Sequence, residues 1–257
     1  MNALDEIAAA FAGLKTAFMP YVPLGYPTVE DSLAVVRTVV EAGASLVELG
    51  VPFSDPLADG PTIQAATQTA LKNGVTVARS LQLARRLRAE GITVPFLLMG
   101  YLNPFLAYGL DRLARDAAGA GISGFIIPDL PPEEAGEFDA LCARHNLALV
   151  YFLAPTSPPE RVALVCRKGR GFIYLVSLTG VTGAREELSA GLVPFIRRVR
   201  AAAGVPLAVG FGISTGQQAH RVAQHADGVI VGSALVRQAG QSLQAVRRLA
   251  AEIAAAM

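Results

Sequence analysis

Apolar residues occur along this chain in eight short runs, and each run is followed by a segment whose apolar positions recur with helical spacing. Within the runs, Val, Leu and Ile follow one another with little polar interruption. Strands have this composition when both faces of a parallel sheet are covered. The runs are Phe18 to Leu24, Leu46 to Leu49, Pro95 to Met99, Gly124 to Ile127, Ala148 to Leu153, Gly171 to Ser177, Pro206 to Val209 and Gly228 to Val231. The pattern predicts eight buried strands joined by helices.

Capping signals mark the starts of several helices. Thr28 precedes a helical apolar face and is a predicted N-cap. Ser157 and Glu160 have the spacing of a capping box, with Pro158 at the first helical position. Ser214 is predicted to cap the helix that follows the seventh strand.

Two further features extend this pattern. Between the second and third strands there is room for two helices, Pro61 to Lys72 and Val77 to Glu90. Ahead of the first strand, an amphipathic segment that contains Ile7 and Phe11 predicts an extra helix. Such a helix can cover the bottom of a closed barrel.

Eight βα units in 257 residues are typical of a TIM (β/α)8 barrel, here with an extra N-terminal helix and additional short helices. A doubly wound open sheet is the alternative, and it often has a Gly-x-Gly-x-x-Gly turn after its first strand. The first turn here, Leu24-Gly25-Tyr26-Pro27-Thr28, lacks that pattern. No linker or low-complexity segment divides the sequence, so one barrel domain over residues 1–257 is expected.

Composition excludes several classes of partner. Charged residues make up 17% of the chain and the formal net charge is +1, so no electrostatic case arises for nucleic acid or an anionic membrane. The apolar runs are too short to span a bilayer, and the N-terminus does not resemble a signal peptide. A cytoplasmic protein is expected, with Cys142 and Cys166 as free thiols.

One acidic stretch stands at the second strand. Glu48 lies inside that strand, and Asp55 and Asp59 follow in a Pro- and Gly-rich loop. In a barrel, catalytic residues lie at the carboxyl ends of the strands. A carboxylate buried between covered faces is costly, so such a residue is kept when it is paired or when it does chemistry.

Other catalytic side chains are missing from the strand ends. All histidines and lysines fall in or near predicted helices or outside the carboxyl ends of strands: His145, His220, His225, Lys15, Lys72 and Lys168. A histidine metal site and a Schiff base therefore have no candidate residues, and no metal is expected. Carboxylates, tyrosines and backbone N–H groups remain, and they suit proton transfer.

The loops after the last strands predict a phosphate site. Gly212 and Gly232 let the backbone approach an anion, and Ser233 begins a short helix with free N–H groups. Gly183, in a long Gly- and Thr-rich loop after the sixth strand, can close over the same group. That loop, residues 178–188, is predicted to be a mobile lid.

These residues resemble the α subunit of tryptophan synthase over essentially the whole chain. The stretch from Val47 to Gly60 matches that family's signature throughout. Further matches are Asn103-Pro104, Asp129-Leu130-Pro131, Ala154-Pro155-Thr156, Ser177 to Arg185 and Gly210 to Ile213. Gly100 departs from the family, which has a larger residue there, and this departure suggests a roomier indole pocket.

The resemblance implies retro-aldol cleavage of indole-3-glycerol phosphate to indole and glyceraldehyde 3-phosphate. It implies that Glu48 is the general acid and base with a raised pKa, and that Asp59 holds the indole N–H. By the same analogy Tyr174 lies near the substrate glycerol, and Thr182 contacts the catalytic loop when the lid closes. The implied indole pocket consists of Tyr21, Ile63, Tyr101, Ile126 and Phe211.

The resemblance also implies a partner, a β subunit that carries pyridoxal phosphate, in an αββα complex. No cofactor is expected in this chain. Two alternatives remain, a lyase that acts alone and a barrel without activity that activates its partner. Other phosphate-binding barrels, such as sugar-phosphate isomerases or indole-glycerol-phosphate synthase, would need a lysine or histidine at the strand ends.

Overall fold

Eight parallel strands close into a barrel in which each strand pairs with the next along the chain and β8 pairs with β1. The structure is a computed structural model and describes residues 2–13, 15–177, 191–210 and 212–257. The strands are β1 Ala17–Pro23, β2 Val47–Gly50, β3 Phe96–Met99, β4 Gly124–Ile126, β5 Ala148–Leu153, β6 Ile173–Val176, β7 Leu207–Gly210 and β8 Gly228–Val231. The predicted (β/α)8 barrel is confirmed, and all eight apolar runs form strands.

Twelve helices lie within the described residues. They are α1 Ala3–Phe11, α2 Val29–Glu41, α3 Pro61–Lys72, α4 Val77–Ala89, α5 Leu102–Tyr108, α6 Leu110–Ala118, α7 Gly136–Arg144, α8 Pro159–Lys168, α9 Leu192–Arg200, α10 Gly216–Ala223, α11 Ser233–Ala239 and α12 Leu243–Ala255. The two helices predicted between β2 and β3 are present as α3 and α4. In this part of the chain, none of the helices has the length and apolar character needed to cross a membrane.

The helix caps were predicted correctly in one case and wrongly in two. Thr28 caps α2 by accepting a hydrogen bond from Asp31 N. Ser157 does not cap α8: its hydroxyl accepts from Ala154 N within the preceding turn, and the helix begins one residue later than predicted. Thr215, not Ser214, caps α10, because its hydroxyl is the one that reaches the N–H of the third helical residue.

The N-terminal helix α1 closes the bottom of the barrel. Ile7 is fully buried in the same apolar cluster as the inward-facing residues of the strands. The Phe11 ring packs against that of Phe172, with centroids 5.7 Å apart. Glu6 accepts a hydrogen bond of 3.2 Å from the Ser123 hydroxyl at the start of β4. These contacts confirm the extra helix and seal the end opposite to the carboxyl ends of the strands.

The rest of the core lies between the sheet and the surrounding helices. This outer shell is larger than the inner cluster and contains the second face of each strand, which explains the uninterrupted apolar runs. Cys142 is buried in this shell, Cys166 lies at its edge, and both thiols are free, as predicted.

Candidate active site

Glu48 occupies the centre of the candidate site. It lies on β2 between Tyr21 of β1 and Leu97 of β3 in the strand register, and its side chain is fully buried. Within the described part of the chain, neither carboxylate oxygen has a hydrogen-bond partner. Burial without a counter-charge disfavours the ionised form, and it raises the pKa of Glu48 to about 8. Glu48 is therefore largely protonated at neutral pH.

Asp59 lies in the loop between β2 and α3 and has a different environment. Its Oδ2 accepts a hydrogen bond of 3.1 Å from the Tyr101 hydroxyl, which in turn accepts one of 2.9 Å from Ala58 N. Burial raises the pKa of Asp59 to about 6, and the hydrogen bond from Tyr101 opposes this rise. Between about pH 6 and pH 8, Asp59 is thus ionised while Glu48 keeps its proton.

Both carboxyl groups line one cavity of about 290 Å³ at the carboxyl ends of the strands. Eight residues expected in the site are brought together there: Tyr21, Glu48, Asp59, Ile63, Tyr174, Gly212, Gly232 and Ser233. A larger cavity of about 720 Å³ lies at the opposite end, beside α1, and none of the expected site residues lines it. The smaller cavity is therefore the candidate active site.

Two other expected residues lie next to this cavity. Tyr101 lines a small adjoining cavity, which shares Tyr21, Asp59 and Met99 with the main one. Ile126 is fully buried in the inner cluster of the barrel, whereas Met99, its partner in the register of β3 and β4, lines the main cavity. Sequence reasoning missed Met99, since an apolar residue at the end of a strand looks the same whether it faces a core or a ligand.

Three expected residues lie outside the described part of the chain. They are Thr182, Gly183 and Phe211, and the expected lid at residues 178–188 also falls there. Their neighbours Gly212 and Ile213 are described and line the cavity.

The rings of Tyr21 and Tyr174 each pack against a glycine of the next strand. A Cβ atom at Gly50 would lie 2.6 Å from Tyr21 Cζ, and one at Gly210 would lie 2.7 Å from Tyr174 Cζ. Real Cβ atoms do not approach so closely, so each ring needs a glycine beneath it. The strand-end glycines of β2 and β7 thus leave room for the two tyrosine rings, which line the cavity together with Glu48.

The opposite part of the cavity combines glycines with a cation. Gly212 adopts a φ of +85°, which favours glycine, and Gly232 and Ser233 stand at the start of α11. Arg237, one helical turn after Ser233, is the only positively charged residue among the described lining residues. The sequence held a signal for Arg237, because residues four apart in a helix share a face.

The remaining loop carboxylates have local partners. Asp55 is exposed and accepts a hydrogen bond from the Ser54 hydroxyl. Asp129, in the loop after β4, accepts from Leu102 N at 2.9 Å and so caps α5. The bond to Asp129 therefore ties the loop after β4 to the start of α5.

Gly100 lines the small adjoining cavity together with Tyr101 and Val51. A Cβ atom there would lie 2.8 Å from Phe105 Cζ and 3.2 Å from Val51 Cβ. The missing side chain therefore leaves room for Phe105, and its effect on the indole end of the pocket stays a prediction.

Fold and site together define a (β/α)8-barrel enzyme with a pair of carboxyl groups of unlike pKa at the carboxyl ends of its strands. The family model of the tryptophan synthase alpha chain matches residues 7–257. The chain belongs to the tryptophan synthase alpha chain family.

Individual relatives support this assignment. The chain is 52% identical over 243 residues to the tryptophan synthase alpha chain of Roseiflexus castenholzii, which is 93% of each sequence. It is 52% identical over 237 residues to that of Chloroflexus aggregans, with 91% of this chain and 89% of the relative covered.

Solved structures agree. A chain from Aquifex aeolicus superposes with a TM-score of 0.92 at 39% identity, with 100% of this chain and 99% of that chain covered. Mycobacterium tuberculosis tryptophan synthase gives a TM-score of 0.89 at 42% identity, with 99% and 96% covered.

Proposed function

We propose that Glu48 and Asp59 carry out the reaction of this family in the present chain, the cleavage of indole-3-glycerol phosphate to indole and glyceraldehyde 3-phosphate. The observation that supports this best is the pair of carboxyl groups on one cavity, one with a pKa of about 8 and the other of about 6. At neutral pH the site therefore holds one proton donor and one anion.

Glu48 is the general acid and base. Its proton goes to C3 of the indole ring, which becomes sp³, and the positive charge moves toward the ring nitrogen. The carboxylate thus formed takes the proton of the side-chain hydroxyl on the carbon next to the ring. That oxygen becomes the aldehyde carbonyl, and the electrons of the breaking carbon–carbon bond return to the ring and release indole. A buried carboxyl group that still carries its proton at neutral pH suits the first step.

Asp59 accepts a hydrogen bond from the indole N–H and stabilises the positively charged ring. This role requires an ionised carboxylate, and the hydrogen bond from Tyr101 favours that form. Ring binding is assigned to Tyr21, Ile63, Tyr101, Ile126 and Phe211, and Met99 joins them because it lines the cavity. Tyr174 faces the glycerol part of the substrate, since it lines the cavity beside Glu48.

The phosphate binds at the other part of the cavity, where Gly212, Gly232 and Ser233 lie together. Glycine at the first two positions allows close approach of the backbone to an anion. Arg237 adds the positive charge that a dianionic group favours. Thr182 and Gly183 are assigned to the closing side of the site by the resemblance of their segment to the family.

The partner is a tryptophan synthase β subunit, as family membership implies, and we assign the chain to an αββα complex in the cytoplasm. Two large apolar side chains near the site are exposed, Leu57 at 94% and Leu106 at 50%. Leu57 follows β2 and Leu106 lies on α5, which follows β3, so both stand on the rim at the carboxyl ends of the strands. The exposed side chain of Leu57, in the same loop as Asp59, is available for contact with a partner.

Indole release from indole-3-glycerol phosphate in EDTA, with and without a β subunit, tests this proposal. Slow turnover that the β subunit increases strongly, and that Glu48→Gln abolishes while the complex still forms, is the expected result. The matched control is Glu134→Gln. It changes an exposed acid that does not line the cavity, and it should behave as wild type. Equally fast turnover without the β subunit would favour a lyase that acts alone. Absence of turnover in both conditions would favour the barrel that only activates its partner.

A further inference from the structure

Asp59 is held by three hydrogen bonds in the loop between β2 and α3. Its carboxylate accepts the bond from the Tyr101 hydroxyl, and its own N–H donates to Pro56 O at 3.0 Å. Its backbone carbonyl accepts the third bond, of 2.8 Å, from the side-chain amide of Gln64. Gln64 lies in α3, so this bond connects the position of a proposed catalytic residue to the helix that follows it.

The first turn of α3 fixes the place from which the Gln64 side chain reaches the loop. Gln64 N donates to Gly60 O at 3.0 Å, which is the first bond of the helix, and the side chain extends back to the preceding carbonyl, Asp59 O. A carbonyl oxygen only accepts hydrogen bonds, so the amide must present its N–H group there. Gly60 caps α3 without a side-chain hydrogen bond, and Gln64 supplies a side-chain bond between helix and loop instead.

A second glutamine on the same face of α3 reaches the same loop. Gln68 stands one turn after Gln64, and its amide donates to Ser54 O at 3.3 Å. This bond is longer and ends near the start of the loop. Gln68 therefore anchors the loop away from Asp59, whereas Gln64 anchors the residue that carries the carboxylate.

We propose that Gln64 is a positioning residue for Asp59: its amide fixes the backbone of Asp59, so that the carboxylate stays where the positive charge of the ring develops. The proposal rests on the function assigned above and adds a residue to it. A charged group stabilises a transition state only when it is already in place, and a shift of about 1 Å can remove much of its effect. Gln64 is exposed and is not among the described residues that line the cavity, so it acts through Asp59 and not on the substrate.

The test is Gln64→Met, which keeps the length and helix propensity of the side chain and removes the donor. We expect kcat for indole-3-glycerol phosphate to fall about five-fold, the effect of one hydrogen bond, with KM changed by less than about two-fold. Loss of an interaction that acts in the transition state lowers kcat and kcat/KM equally, whereas general damage to the site would also raise KM. The control is Gln82→Met, the same change at an exposed position of α4, which should behave as wild type.

Gln68→Met separates the anchoring of Asp59 from the anchoring of the loop as a whole. It should lower kcat less than Gln64→Met does, because its bond ends at Ser54. Equal losses in the two variants would overturn the proposal, and so would wild-type kcat in Gln64→Met.

Amide hydrogen exchange, followed by NMR, gives a measurement that does not depend on activity. In Gln64→Met the N–H groups of Ala58 and Asp59 should exchange several-fold faster than in wild type, because the hydrogen bonds that protect them open more often. Gln82→Met should keep the wild-type rates. Unchanged exchange at both amides in Gln64→Met would overturn the proposal. A wild-type chain without turnover would count against the proposed function, and the exchange rates would still decide whether Gln64 holds Asp59.

Discussion

The two carboxyl groups of the site show how the same chemical group acquires opposite protonation states from its surroundings. Glu48 is fully buried and has no hydrogen-bond partner among the described residues, whereas Asp59 is partly buried in a loop and accepts a hydrogen bond from Tyr101. The sequence predicted the burial of Glu48, because an acid inside an apolar run belongs to a strand with both faces covered. It did not predict the bond from Tyr101 to Asp59, because 42 residues separate the two along the chain.

Glu48→Gln should change the pH dependence of stability as well as activity. The folded-state pKa of Glu48 is about 8, above its unfolded value, so wild type loses stability as pH rises from about 4.5 through 8. Each pKa unit corresponds to about 1.4 kcal/mol, so this loss amounts to several kcal/mol. The glutamine variant should lose less over that range and be more stable than wild type at about pH 9, as measured by thermal or denaturant unfolding.

The exposed control Glu134→Gln should follow the wild-type curve throughout. Parallel curves for Glu48→Gln and wild type between about pH 5 and 9 would contradict a raised pKa at this position.

Arg237→Gln should weaken the binding of the phosphate group and leave the chemistry intact. We expect KM for indole-3-glycerol phosphate to rise about ten-fold with kcat little changed, because an exposed charge contributes modestly and equally to ground and transition states. The measurement is steady-state kinetics with the phosphorylated substrate and with its dephosphorylated counterpart, which the variant should treat as wild type does. The matched control is Arg248→Gln, which changes an exposed residue of α12. Equal losses with both substrates would show that Arg237 does not act on the phosphate.

At the scale of the elements, the apolar runs placed the strands well because both faces of each strand are covered. The starts of the helices were harder to predict, since adjacent residues compete to cap them. Ser214 and Thr215 both carry hydroxyls, and the local backbone decides which one reaches the helix. The cap of α5 had no signal within its own segment, because Asp129 reaches it from the loop after the next strand.

Asp129→Ala should therefore destabilise α5 from a distance. The variant leaves Leu102 N without its partner, and loss of a cap of this kind costs about 1 kcal/mol. Denaturant unfolding measures this change in the free energy of unfolding. Asp111→Ala, an exposed acid in the first turn of α6, should cost less, so an equal loss in both variants would argue against a capping role.

At the scale of the whole molecule, barrel closure brings together residues that are far apart in sequence. Tyr21 of β1 and Gly232 after β8 meet because the first and last strands pair, and this pairing places residues proposed to bind the ring next to residues proposed to bind the phosphate. Gly212 and Gly232, which line the cavity, were expected from their place in the loops after the last strands. Arg237 was not expected, although its spacing from Ser233 places both residues on one face of α11.

The rim around this cavity is the surface on which we expect the proposed β subunit to act. Leu57 belongs to the same loop as Asp59, and its side chain is almost fully exposed. A partner that covers Leu57 would restrict this loop and so fix Asp59 and its bond to Tyr101. Binding and stimulation of turnover should therefore depend on the same residue.

Leu57→Ser should weaken the complex with the β subunit and reduce the stimulation of turnover, while the slow turnover of the isolated chain persists. We expect Kd to rise about ten-fold, which corresponds to the loss of about 1.4 kcal/mol from one well-packed contact. Titration of the variant against the β subunit, followed by indole release, gives both quantities. Leu243→Ser, which removes an exposed leucine from the start of α12, should leave both at wild-type values. Wild-type affinity in Leu57→Ser, or an equal loss in Leu243→Ser, would place the interface elsewhere on the barrel.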